Sequence, residues 1–287
     1  MPLIALLRGT PRVRPTRCRG FTLTELAVVV LVIALLLGGL TLTLSAQTEL
    51  RRIEDTQRAL ELAKEALIGF AITRGRLPCP ADPTIATGAL NAGVERADCW
   101  TVPNNQYGAL PWVTLGVPET DAWSRRFSYR VFRDFADASI VTVGPTVPPS
   151  ASGCLVAAVP VPPPDYPIRP SFQLCSIGNL NVKTRNAAGV APQNIAADLA
   201  AVVISHGPNG FGGFSPAGTQ LPAPAGQDEA ANANAGTTDF ISRELTRAPA
   251  GACNDTVAGT LCEFDDLVTW VPTVVLMNRM VASGKLP

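Results

Sequence analysis

Leu26-Ala-Val-Val-Val-Leu-Val-Ile-Ala-Leu-Leu-Leu37 is too long and too apolar for an ordinary surface helix. It opens a run of 23 uncharged residues, 26–48. As a helix the run reaches about 35 Å, enough for a hydrocarbon core of about 30 Å. Residues 1–20 hold five arginines (Arg8, Arg12, Arg14, Arg17, Arg19) and no acid. Positive charge ahead of an apolar span keeps that end cytoplasmic. The chain is therefore expected to cross a membrane once and to export the residues beyond the span. A plain signal peptide is the alternative. Two features oppose it. Glu25 stands directly before the apolar run, where a charge needs a partner. The run also passes into a helical pattern without a break.

Downstream, Ile53, Leu60 and Leu67 lie seven apart, with Ala63 and Phe70 completing the stripe. Charged residues fill the positions between them, so the stripe is one face of an amphipathic helix. Gly75 in the C-cap position and Pro78 behind it stop the helix, which is expected over 22–74. The alternation of Phe127, Tyr129 and Val131 with Ser128 and Arg130 predicts a half-buried strand. Residues 199–205 and 264–271 read as further strands, and 274–283 as a short helix or loop. Trp123 is expected as a core anchor. Nine prolines in residues 144–170 predict an extended surface loop.

The residues Arg19-Gly20-Phe21-Thr22-Leu23-Thr24-Glu25-Leu26 resemble the leader junction of type IV pilins and type II secretion pseudopilins. The resemblance implies that prepilin peptidase cuts after Gly20 and methylates Phe21. It also implies that Glu25 pairs with the Phe21 amine of a neighbouring subunit, which sets the register of assembly. Major subunits of the family usually carry a proline where Leu42 stands here, so the resemblance points to a minor pilin or pseudopilin. The implied fold is α+β: a long N-terminal helix packed on a small antiparallel sheet head with long loops. The implied organisation is a cleaved leader 1–20, a transmembrane and assembly helix 21–48, an amphipathic continuation 49–75 and a periplasmic head 76–287. The implied partners are other pilin or pseudopilin subunits, prepilin peptidase, the inner-membrane assembly platform and membrane lipid. A periplasmic enzyme or binding protein held by a signal anchor is the competing class.

Beyond residue 20 the chain carries 18 basic and 23 acidic residues, a slightly acidic body that argues against a nucleic-acid partner. Cys18 lies in the leader. The other six, Cys79, Cys99, Cys154, Cys175, Cys253 and Cys262, are even in number and exported, so disulfides are expected. Fifteen pairings are open; Cys79/Cys99, Cys154/Cys175 and Cys253/Cys262 is the simplest. No cysteine or histidine cluster suggests zinc, no cofactor is required, and no enzyme motif stands out. His206, the single histidine, reads as a turn residue.

Ser205-His-Gly-Pro-Asn209-Gly210 resembles a calcium-coordinating loop of major pseudopilins. Asn209, Asp228, Glu229 and Asp239 are the ligands the resemblance implies. A solvated loop with scattered acids is the other reading of the same residues.

Overall fold

The computed structural model describes residues 22–137, 170–185, 191–247, 254–255 and 261–286, except the side chains of 36–46. The expected leader, Gly20, Phe21, Cys154, Cys253 and residues 144–169 of the Pro-rich stretch lie outside the described residues. The chain forms two compact units, Met1–Leu50 and Arg51–Pro287.

In the first unit the described element is the N-terminal portion of helix α1, which spans Leu23–Arg74. Thr22 and Glu25 cap it reciprocally. The Glu25 N–H donates to Thr22 Oγ1 (3.3 Å), and the Thr22 N–H and hydroxyl donate to Glu25 Oε2 (3.0 and 2.9 Å). This is a capping box, and it satisfies donors that the first helical turn leaves orphaned. Leu23, Leu26, Val28–Ile33 and Leu35 are 46–85% exposed. Among the described residues, no helix is long and apolar enough to cross a membrane.

The second unit begins with the amphipathic portion of α1. Its buried face is Thr56, Leu60, Ala63, Leu67, Ile68 and Ala71, spaced three to four apart as a helix stripe requires. Ile53 and Phe70, expected in the stripe, are only half-buried at its rim. Gly75 ends the helix at φ 73°, and its N–H closes the last turn on the Ala71 carbonyl (2.7 Å).

The remaining elements are β1 (Tyr107–Ala109), α2 (Trp112–Leu115), β2 (Ser128–Val131), β3 (Leu180–Thr184), β4 (Gln193–Ser205), α3 (Gln227–Asn232), β5 (Asp239–Ile241), β6 (Leu267–Pro272) and α4 (Thr273–Ala282). The strands form one sheet in the order β1-β2-β4-β3-β5, with β6 also paired to β4. Four pairings are antiparallel, but β3 and β5 run parallel, so the sheet is mixed rather than antiparallel. The reason is the connection. After β4 the chain makes a long excursion through α3 before β5, and such a crossover lets a strand enter parallel to one already placed.

The sheet packs against the buried face of α1. Leu60, Leu67, Tyr129, Val131, Val202, Val203, Ile204, Val271, Leu276 and Met280 share one core. Each large apolar side chain so buried contributes roughly 1.5–3 kcal/mol before chain entropy is counted. β2 is buried on both faces rather than half-buried. Its polar side chains find internal partners, Ser128 meeting His206 and Arg130 donating through Nη1 to the Ala235 carbonyl (2.6 Å), although Arg130 Nε is left without one. Trp123 is only half-buried, and the buried tryptophan is Trp112.

A Cys79–Cys99 disulfide closes the loop that leads to β1, with Cα atoms 5.6 Å apart. Cys175 and Cys262 are disulfide-bonded as well.

Candidate functional site

Residues 205–213 leave the end of β4 and pass beneath two other segments: α3, and the 263–266 lead-in to β6. Gly207 permits this close passage. It sits at φ 57°, and a Cβ there would lie 2.3 Å from the Asp265 carbonyl oxygen. Asn209 fixes the loop's turn by accepting the Phe211 N–H on Oδ1 (2.8 Å).

The four acidic and amide residues expected to converge here do so only in part. Asn209 and Glu229 meet, with Asn209 Nδ2 donating to Glu229 Oε1 (3.3 Å). Asn209 acts as a donor towards the carboxylates, since its amide oxygen is engaged in the turn. Asp228 stands apart. Arg185 Nε donates to its Oδ1 (3.1 Å) and Arg243 Nε to its Oδ2 (2.8 Å), so guanidinium groups occupy both oxygens. Asp239 lies on β5, where Lys183 Nζ (2.6 Å) and Asn181 Nδ2 (2.9 Å) donate to it. Burial raises the Asp239 pKa, but these hydrogen bonds outweigh it and hold the carboxyl below its ordinary value. Of Asn209, Asp228, Glu229 and Asp239, the structure brings Asn209 and Glu229 together and places Asp228 and Asp239 in ion pairs of their own. Ion pairing claims Asp228 and Asp239, because a cation within reach neutralises them at once.

Two residues that sequence reasoning did not single out as site residues lie beside Glu229. Asp265 and Asp266 approach Glu229, and one carboxylate oxygen of each of the three lies within 4.8 Å of the others. Glu229 and Asp266 are 2% and 3% exposed, and Asp265 is half-buried. Backbone N–H groups orient two of the acids: Asn209 donates to Asp265 Oδ2 (2.9 Å) and Asp265 to Glu229 Oε1 (3.1 Å). Burial, with the Asp266 charge next, pushes the Glu229 pKa up to about 7. Burial also pushes Asp265 up to about 8, against the Asn209 hydrogen bond and with the Glu229 and Asp266 charges adding to it. Asp265 Oδ1 and Asp266 Oδ1 are buried without a hydrogen-bond partner. An all-oxygen, acid-rich donor set with orphaned oxygens suits a hard dication such as calcium. The adjacent acids Asp265-Asp266 were the only sequence signal of the missing half.

His206 opens the turn, its carbonyl accepting the Gly210 N–H (2.9 Å), and its side chain is fully buried, 0% exposed. Its Nε2 lies 2.8 Å from Ser128 Oγ, and its Nδ1 lies 3.5 Å from Asp266 Oδ1. Ser128, His206 and Asp266 thus stand in the order of a nucleophile–base–acid relay. All three are at most 4% exposed, so the hydroxyl is not presented to solvent. The arrangement joins β2, the β4 exit and the β6 lead-in.

Near the other end of the chain, the Thr22–Glu25 cap opens a helix whose apolar side chains are exposed, and the motif matched there supports a prepilin-type segment like that of type IV pilins and pseudopilins. Residues 15–41 match the family model described as the prokaryotic N-terminal methylation motif. No curated protein and no solved structure matches the chain.

Proposed function

We propose that the chain is a structural subunit, a minor pilin or pseudopilin, of a type II secretion pseudopilus or a type IV pilus. The observation that carries this reading is the methylation motif over 15–41, which spans the Gly20–Phe21 junction and Glu25. In this reading prepilin peptidase removes residues 1–20 and methylates Phe21. The apolar portion of α1, exposed in the isolated chain, is then covered by inner-membrane lipid and afterwards by neighbouring subunit helices. Residues 21–48 anchor and assemble, 49–75 continue the helix, and 76–287 form a periplasmic pilin-like head. The inner-membrane assembly platform and other pilin or pseudopilin subunits are the partners.

Intact mass of the membrane-extracted protein tests the proposal. The mature chain should begin at methylated Phe21 and be about 2 kDa lighter than the precursor, 20 residues being lost. Gly20→Glu should leave the full mass, because a bulky charged side chain does not fit where glycine does. An unprocessed wild-type chain would instead support a signal-anchored periplasmic protein.

Glu25 gives a second test. In the single chain its carboxylate is held by Thr22. In the assembled filament it would be claimed by the Phe21 amine of the next subunit, a partner that makes a charge at the membrane tolerable. Glu25→Ala should leave the second unit folded and the chain inserted, while sheared filaments or cross-linked pseudopili contain much less of it. Normal incorporation would remove Glu25 from the assembly mechanism.

A further inference from the structure

We propose that Arg130 is the floor of a binding site for a carboxylate, which its guanidinium group takes side-on through Nε and Nη2 beneath the turn that follows α3. The inference concerns only the second unit and is independent of N-terminal processing.

Arg130 lies on β2, opposite Tyr107 of β1 and Val202 of β4, and is 7% exposed. Three other guanidinium side chains of the second unit, those of Arg126, Arg185 and Arg243, are buried at least as deeply. Each meets acid along the same edge, the one formed by Nε and Nη2. Arg126 holds Glu119 Oε1 with both nitrogens (2.9 and 2.8 Å). Arg185 holds Asp228 Oδ1 with both (3.1 Å each). Arg243 gives Nε to Asp228 (2.8 Å) and Nη2 to Asp255 (3.3 Å). A buried cation is costly without a countercharge, and the planar fork of arginine matches a carboxylate.

Arg130 departs from that pattern. Its Nε is buried and has no hydrogen-bond partner. Its Nη2 has only a 3.4 Å contact with Gln106 Oε1, long for a hydrogen bond from nitrogen. Burial pulls its pKa below the ordinary arginine value, and among the described residues no carboxylate offsets that effect. The other end of the group is well anchored, with Nη1 donating to the Ala235 carbonyl at 2.6 Å. The guanidinium plane is therefore fixed, while the edge that takes acid in the three other arginines is unpartnered. A donor pair oriented in advance loses little further freedom when its ligand arrives.

The surroundings select the ligand. Gln106 is buried and faces the same edge through its amide. Turned over, that amide presents N–H donors in place of its oxygen, so Gln106 can add a hydrogen bond to a bound carboxylate. The Tyr107 hydroxyl is committed to the Asn232 carbonyl (2.9 Å). Two exposed turns, 101–104 and 234–236, lie over the site. A group that reaches an enclosed guanidinium between two turns is small and planar. One guanidinium offsets one negative charge, which favours a carboxylate over a more highly charged phosphate. The carboxylate is that of a free small acid or of an acidic side chain on a neighbouring chain.

The test uses the full chain in detergent at neutral pH, with sodium acetate compared against sodium chloride at equal ionic strength. Acetate at about ten times its Kd should raise the Tm of the second unit by roughly 3–6 °C. The NMR lines of isotope-labelled acetate should broaden on binding. Arg130→Met should abolish both effects and leave the protein in chloride at least as stable as wild type, since an unpaired buried charge is removed with its desolvation cost. Arg130→Lys keeps the charge without the fork and should weaken acetate binding about tenfold or more; if Arg130→Met does not fold, this comparison decides alone. A second arm uses the α-amide of N-acetylglutamate, whose one carboxylate is that of a glutamyl side chain. A rise in Tm with both compounds would identify a site open to an acidic side chain of a neighbouring chain, and a rise with acetate alone a site for a free small acid. No acetate binding to wild type, or an equal response in wild type and both variants, would overturn the proposal.

Discussion

Arg126→Gln is expected to destabilise the second unit by about 3–5 kcal/mol, the cost of breaking a buried charged network by removing one partner. Arg126 is 1% exposed. Its Nε donates to Glu119 Oε1 (2.9 Å), one terminal nitrogen to the Pro83 and Ile85 carbonyls (both 2.8 Å), and the other to Thr87 Oγ1 (3.1 Å) and the Pro216 carbonyl (3.0 Å). All five guanidinium donors are thereby engaged. The group also lies over the Trp112 ring, 4.7 Å from its centroid. The segments it gathers are loops, and they have few ladder hydrogen bonds to hold them otherwise. Glutamine reaches fewer acceptors and leaves several buried carbonyls and Glu119 unmet. Arg126→Lys should be nearly as harmful, because an ammonium keeps the charge but not the planar fork. Urea unfolding of the full chain in detergent measures both, and a loss under about 1 kcal/mol in either would show that the loops are held by other contacts.

Asp228→Ala should cost a similar amount, about 3–5 kcal/mol, for the opposite reason: it strands cations rather than an anion. Arg185 and Arg243 have side chains 7% and 2% exposed, and Asp228 binds both. Arg243 keeps a second partner in Asp255 (3.3 Å) and its stacking on Phe264 (4.5 Å). Arg185 has no other ion pair among the described residues, so it should account for most of the loss. A double change, Asp228→Ala with Arg185→Met, should therefore recover part of the stability, since removing both buried charges also removes the desolvation cost. Additive losses in the two single variants and the double would place the effect in packing instead.

The helix and its end were legible in the sequence because they rest on local chemistry. The uncharged run 26–48, the stripe through Leu60, Ala63 and Leu67, and Gly75 at positive φ each act within one or two turns. The prepilin-type segment was legible for the same reason, being a contiguous pattern of small, apolar and acidic residues. The Thr22–Glu25 capping box was readable from its spacing, though Glu25 drew attention for its charge alone. The strands at 199–205 and 267–271 were readable from apolar composition, but their partners were not. Parallel entry of β5 depends on where a long excursion returns, and no local pattern records that.

The acid cluster marks the boundary between the two kinds of information. Asn209, Asp228, Glu229 and Asp239 were acids and an amide near one loop, and sequence distance treated them alike. Tertiary structure separated them by charge: Arg185 and Arg243 took Asp228, Lys183 took Asp239, and Asp265 and Asp266 were brought to Glu229 from more than thirty residues away. His206 changed in the same way, from a residue in a turn-rich stretch to a buried contact between Ser128 and Asp266. Sequence by itself determined what depends on neighbours along the chain: the helix, its caps and the prepilin-type segment. Only the tertiary structure decided which buried charges meet, because electrostatic pairing acts through space and is strongest where packing excludes water.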